Sequence, residues 1–198
     1  MNFLAHLYLS GDDPARKVGN FMGDFVKGRA LSARFEPGIV AGIGLHRAID
    51  HFTDTHALVK QSKKRLQPTY RHYSGVIVDV FYDHFLARHW PTYSPEPLAD
   101  FAQRAYQDIL DRSPILPDEV KQLLPYMMKG NWLLNYQHVE GIDRALTGMS
   151  RRTTFVSHMQ HASADLQEHY TAFEAEFSHF FPELRAFCEE WIGKEESR

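Results

Sequence analysis

The stretch that most limits the fold is GVIVDVFYDHFLARHW, residues 75–90. It is apolar almost all the way round a helical projection, the pattern of a helix that is fully buried. The rest of the chain repeats helical periodicity, and strand-like alternation is hard to find. The spacing predicts helices over residues 2–9, 14–26, 37–54, 56–66, 70–90, 96–112, 117–138, 152–179 and 182–193. Local punctuation agrees. SGDDP ahead of residue 15 offers cap residues and a proline near a first turn. PTYSPEP at 91–97 and SPILPDE at 113–119 can each stop one helix and start another. With 198 residues the chain can bury a real core. The expectation is an all-α fold, a single compact multi-helix domain over residues 1–198.

The net charge of −3 gives no electrostatic footprint for nucleic acid or an anionic membrane. Cys188 is the only cysteine, so no internal disulfide can form and a reducing, cytoplasmic home is expected. MNFLAHLYLS at the start is short, lacks a basic region and contains His6, which reads as a first helix rather than a leader. No apolar run reaches the length of a membrane span.

Polar groups stand where apolar ones belong. In GIGLHRAIDHFTDTH, residues 42–56, His46 and Asp50 project about 40° apart, beside Ile39 and Ile43 and with Ile49 on the flank. Asp79 and Asp83 repeat the one-turn spacing in the buried stretch, on the side of Val76, Leu86 and Trp90. Asn20 and Asp24 repeat it among Phe21, Met22, Phe25 and Val26, and Asn2 and His6 repeat it in the first helix. Each pair alone has a plain structural reading. His6 can be a satisfied core histidine, Asp50 a partner of Arg47 or of another arginine, and Asp54 a helix cap. Together they are harder to dismiss, because several carboxylates buried in one small domain repel unless something cationic sits among them. Imidazoles and carboxylates make a site for Mn²⁺, Mg²⁺, Fe²⁺ or Zn²⁺. A lone cysteine excludes thiolate ligation.

Among metal chemistries, a zinc peptidase needs His-Glu-x-x-His, which is absent. A di-iron bundle needs two Glu-x-x-His motifs, and only Glu176–His179 occurs. Metal-assisted phosphoester hydrolysis needs only Asp and His ligands on converging helices and an open position for water.

The blocks MNFLAHLYLS, GNFMGDFVKG, GIGLHRAIDHFTD and VDVFYDHFLARHW, in that order over about the first 90 residues, resemble the signature blocks of the acyl carrier protein phosphodiesterase family. NWLLNYQHVEGIDRAL and MSRR are similar but less diagnostic. The resemblance implies a helical bundle distantly related to the HD phosphohydrolases. It also implies a divalent metal, Mn²⁺ first with Mg²⁺ or Fe²⁺ as alternatives. The implied reaction is hydrolysis of holo-acyl carrier protein to the apo-protein and 4′-phosphopantetheine. One departure matters: the chain has no His-Asp dipeptide, only Asp50-His51 and Asp83-His84. Ligands are therefore assigned by facing: His6, Asp24, His46, Asp50, Asp79 and Asp83. His84 and Asp54 are expected to orient water, and the leaving serine oxygen is expected to take its proton from a histidine, with His84 the candidate, or from a second water. Asn20 is expected to hold a ligand or a phosphate oxygen through its amide.

An acidic carrier protein calls for a local basic surface. Residues 55–78 contain no Asp or Glu and carry Lys60, Lys63, Lys64, Arg65 and Arg71 between two of the ligand-bearing helices. They are the expected partner-binding residues, with Arg151 and Arg152 a weaker second candidate. Their plain alternative is a solvated helix face. Two rival functions stay open: hydrolysis of a small phosphodiester or nucleotide, and a non-catalytic helical binding protein.

Overall fold

The computed structural model describes residues 1–28 and 30–197. Its helices are α1 (Phe3–Tyr8), α2 (Pro14–Phe21), α3 (Pro37–Thr55), α4 (Ala57–Tyr70), α5 (Ser74–Arg88) and α6 (Trp90–Tyr93). They continue with α7 (Leu98–Asp111), α8 (Asp118–Lys129), α9 (Trp132–Asn135), α10 (Val139–Ser150), α11 (Ala162–Glu168) and α12 (Tyr170–Glu196). Short 3₁₀ turns link several of them, and no strand occurs among the described residues, so the all-α expectation holds. No helix of the described residues is long and apolar enough to cross a membrane.

Helix α5 runs through the middle, packed against α1, α4, α10 and α12. Ile77, Val78, Val80, Phe81, Tyr82, Phe85 and Leu86 are all essentially inaccessible, as its all-round apolar sequence requires. The core is one continuous cluster to which every helix from α1 to α12 contributes.

The pair that positions the site is α2 and α3. Asp13 caps α2, accepting hydrogen bonds from the Ala15 and Arg16 backbone N–H groups, and Pro14 occupies its first turn. Pro37 opens α3 in the same manner. The two helices cross at Gly19 and Gly42, where a Cβ on either would lie 2.2 Å from a carbonyl oxygen of the other helix. Only glycine permits that approach.

Several boundaries differ from expectation. The segment over 117–138 breaks at Asn131, which is left-handed at φ 40, giving α8 and α9. Helix α10 lies where no helix was expected, with Ile142, Ala145 and Leu146 buried on one face. The expected helix over 152–179 begins instead as a loop through residue 158, then α11 and α12. Helix α12 also runs unbroken through residues 180–182, where one helix is expected to end at 179 and another to begin at Pro182. Pro182 faces solvent, where the carbonyl it leaves unpaired can bond water, while Phe177, Phe180, Phe181 and Leu184 keep the inner face continuous.

Candidate metal centre

Helices α1, α2 and α3 bring His6, Asn20 and His46 together, with the two imidazole rings stacked at 4.1 Å between centroids. Asn20 is fully buried and holds both rings. Its Nδ2 donates to the His6 carbonyl and to Ser10 Oγ, each at 2.9 Å, which assigns Oδ1 as the acceptor of His6 Nδ1–H at 2.7 Å. Its backbone carbonyl accepts His46 Nδ1–H at 2.8 Å. Both imidazoles are thereby held as Nδ1–H tautomers, and each Nε2 points at carboxylate oxygen. His6 Nε2 lies 3.3 Å from Asp50 Oδ1 and 3.2 Å from the Met1 carbonyl. His46 Nε2 lies 3.1 Å from both Asp50 Oδ2 and Asp24 Oδ1. His6, His46 and Asp50 each place one ligand atom within 4.8 Å of the others.

Counting donors shows what the cluster lacks. With Nδ1 protonated, a neutral imidazole presents only a lone pair at Nε2, yet every group facing it is an acceptor. A proton or a cation must fill the gap. For His6, burial lowers the pKa, with the His46 charge adding to that and Asp50 opposing it, which disfavours the proton. For His46, burial pulls down, but hydrogen bonds and charge from Asp24 and Asp50 outweigh it and raise the pKa to about 9. Burial would raise the Asp50 carboxyl; the two imidazoles outweigh burial and hold it far below the usual carboxylate range. Asp24, on the 3₁₀ turn Gly23–Phe25, is lowered by its hydrogen bond to His46 and is the most exposed member of the cluster. Gly23 makes this possible, since a Cβ there would overlap His46 Cγ at 2.2 Å.

The other expected residues go elsewhere. Asp79 stands at the rim, its Oδ1 3.0 Å from the Met1 ammonium, which lies 4.0 Å from Asp50 Oδ1. Asp83 is fully buried and faces the start of α1, accepting the N–H groups of Asn2 at 3.3 Å, Leu4 at 2.7 Å and Ala5 at 3.2 Å. It does what an N-cap side chain does, because Asn2 makes no such bond. Burial raises Asp83 to about 7 against the pull of those N–H groups and the ammonium. His84 lies away from the cluster, with Nδ1 on the Tyr136 carbonyl at 2.8 Å and Nε2 on the Tyr170 hydroxyl at 3.0 Å. Asp54 pairs with Lys63.

The basic residues divide as well. Lys60, Lys63, Lys64 and Arg71 line one groove of about 530 Å³. Arg65 turns inward instead, forming a two-pronged ion pair with buried Glu176 at 2.7 and 2.9 Å and lying over the Phe173 ring. Ser62 donates to the same carboxylate and meets Tyr82 OH, tying α4 to α5 and α12. The groove is next to the centre. Asp50 and Asp79 converge on the Met1 ammonium; one turn on in α3 Asp54 pairs with Lys63, and one turn back in α5 Gly75 lies beside the same Lys63 side chain. One helical turn is about 5.4 Å.

Sequence reasoning missed Ser10, the Met1 carbonyl and the glycines 19, 23 and 42. The signal for the glycines was present: each lies within one helical turn of a candidate polar residue on its own segment.

Fold and centre together define an all-α protein with a nitrogen- and oxygen-donor site built on its first three helices. The model of the family described as acyl carrier protein phosphodiesterase matches residues 1–184. Curated relatives named acyl carrier protein phosphodiesterase are similar along almost their whole length. One from Klebsiella pneumoniae (strain 342) is 36% identical over 190 residues, covering 96% of this chain and 98% of its own. One from Yersinia pestis is 37% identical over 185 residues, covering 93% and 95%. One from Photorhabdus laumondii is 36% identical over 186 residues, covering 92% of each. The chain belongs to the acyl carrier protein phosphodiesterase family. No solved structure gives a significant match.

Proposed function

We propose that this chain hydrolyses the phosphodiester joining 4′-phosphopantetheine to the serine of holo-acyl carrier protein, releasing the apo-protein. The observation that carries the reading is the convergence of His6, His46 and Asp50, whose ligand atoms lie within 4.8 Å of one another, in a chain of this family. That donor set fits a divalent ion, Mn²⁺ first, with Mg²⁺ and Fe²⁺ as alternatives. His6 Nε2, His46 Nε2 and Asp50 would hold it, with Asp24 at the solvent side. When bound, such an ion supplies positive charge that acidifies water and offsets charge growing on the phosphate oxygens.

The remaining work belongs to the chain. Asn20 keeps both imidazoles in the tautomer that offers Nε2. Asp24, exposed and ionised, is placed to take a proton from the attacking water. His84 is occupied by Tyr136 and Tyr170, so the leaving serine oxygen takes its proton from solvent. Lys60, Lys63, Lys64 and Arg71 steer the acidic carrier toward the adjoining centre. A cytoplasmic location suits this chemistry, and the one thiol, Cys188, is buried and unpaired.

Conversion of holo- to apo-carrier, followed by mass, tests the reading. Activity lost on chelation and restored by Mn²⁺ is expected. Hydrolysis of carrier-free pantetheine diesters or cyclic nucleotides without carrier turnover would replace it with a small-molecule phosphodiesterase. Indifference to both chelator and Mn²⁺ would refute the metal centre.

A further inference from the structure

Two apolar side chains have no explanation in the fold. Phe155 and Val156, in the loop between α10 and α11, are 71% and 79% exposed. The same chain covers Phe173, Phe177 and Phe180 completely. The loop backbone is nevertheless held. The Phe155 carbonyl accepts from Thr153 Oγ1 at 2.8 Å and from Tyr73 OH at 3.4 Å. The segment stands with these apolar side chains in solvent.

Phe155 and Val156 line a groove of about 500 Å³ whose other wall includes Arg71 and His72. Those two residues also line the lysine groove, so the grooves form one continuous surface. Backbone strain marks both walls: Arg71 at φ 50 and His158 at φ 57 are left-handed without being glycine. Such conformations persist only where surrounding structure enforces them, and they concentrate at functional surfaces. Among the described residues no carboxylate pairs with Lys60, Lys64 or Arg71, so their charge is available to a partner.

We propose that Phe155 and Val156 form an apolar anchor that seats the acidic carrier protein against this surface, beside the cationic groove. This rests on the function proposed above and names where that substrate is gripped. Cations alone steer encounter but hold weakly at physiological salt, where screening acts within about 8 Å. A central aromatic contact supplies the residence that exposed ion pairs do not.

The test separates the two contributions. Labelled apo-carrier, which has no scissile bond, is titrated with wild type, F155S/V156S and K60E/K64E from about 50 to 500 mM salt. The F155S/V156S variant is expected to bind at least about tenfold more weakly at every salt with an unchanged salt slope. K60E/K64E is expected to weaken binding and flatten the slope. The circular dichroism spectrum and urea midpoint of F155S/V156S should match those of wild type. Apo-carrier affinity within about twofold of wild type in F155S/V156S overturns the anchor, while continued holo-carrier turnover leaves the proposed function standing. Loss of a dimer in that variant with carrier affinity intact would make the loop a self-association face and also overturn it. Wild type that neither binds nor converts carrier removes the proposed function, and the anchor with it.

Discussion

Replacing Gly42 with alanine tests how the centre is built. The added Cβ would stand 2.2 Å from the Arg16 carbonyl oxygen and 2.7 Å from the Asn20 backbone nitrogen. Both are main chain, so no side chain can swing aside. Ordinary contact begins at 3.4 Å, and α2 must retreat by the difference, about 1.2 Å. The His46 Nδ1 to Asn20 carbonyl bond, now 2.8 Å, would open to about 4 Å, beyond hydrogen bonding. Overpacking costs about 1–3 kcal/mol and the orphaned buried groups about as much again, roughly 2–6 kcal/mol in all. Gly44→Ala on the same helix is the control. Its Cβ meets only the Trp191 ring, at 3.4 Å, and alanine favours helix by up to about 1 kcal/mol. Urea unfolding followed by circular dichroism, with holo-carrier conversion on the same samples, should show Gly42→Ala destabilised and inactive and Gly44→Ala neutral or better. A Gly42→Ala protein within about 0.5 kcal/mol of wild type with full turnover would refute the glycine crossing as what sets the site.

Three further outcomes are expected. In chelated protein, His46 has a folded pKa of about 9 against an ordinary 6.5. Its contribution is full below pH 6.5 and lost as pH rises through 9, about 3 kcal/mol that His46→Gln should abolish in denaturation at low and high pH. Asp83→Ala strips acceptors from three N–H groups at the start of α1 and should cost roughly 3 kcal/mol or more by urea unfolding, with or without added Mn²⁺. Asp50→Asn should leave helical content intact while lowering turnover about a thousandfold and releasing bound Mn²⁺, both read on purified protein.

The fold class was legible because α5 has no polar face and α3 keeps its apolar stripe, and period alone settles such segments. The convergence of His6, His46 and Asp50 was legible for the same reason: a charged group on a buried stripe needs a partner. Asp83 obeys that rule too, but its partner is the backbone of α1. Periodicity says that a side chain faces inward without saying what it meets. Arg65 looked like part of a solvated basic run, and its inward turn depends on Glu176, more than a hundred residues away. Helix α10 went unseen because the short turn of α9 and the left-handed Asn131 interrupt the pattern just ahead of it. Residues 152–158 form a loop where the spacing predicts helix, and their β-branched Thr153, Thr154 and Val156 disfavour one.

The clamp that Asp83 places on α1 also sets a schedule for assembly. Six residues are too few to stay helical alone in water, so the segment bearing His6 remains loose until the chain is long enough for α5 to reach it. A partly synthesised chain ending before that point would carry Asn20, His46 and Asp50 but no ordered His6. It would lack one of the two imidazoles on which the proposed centre depends.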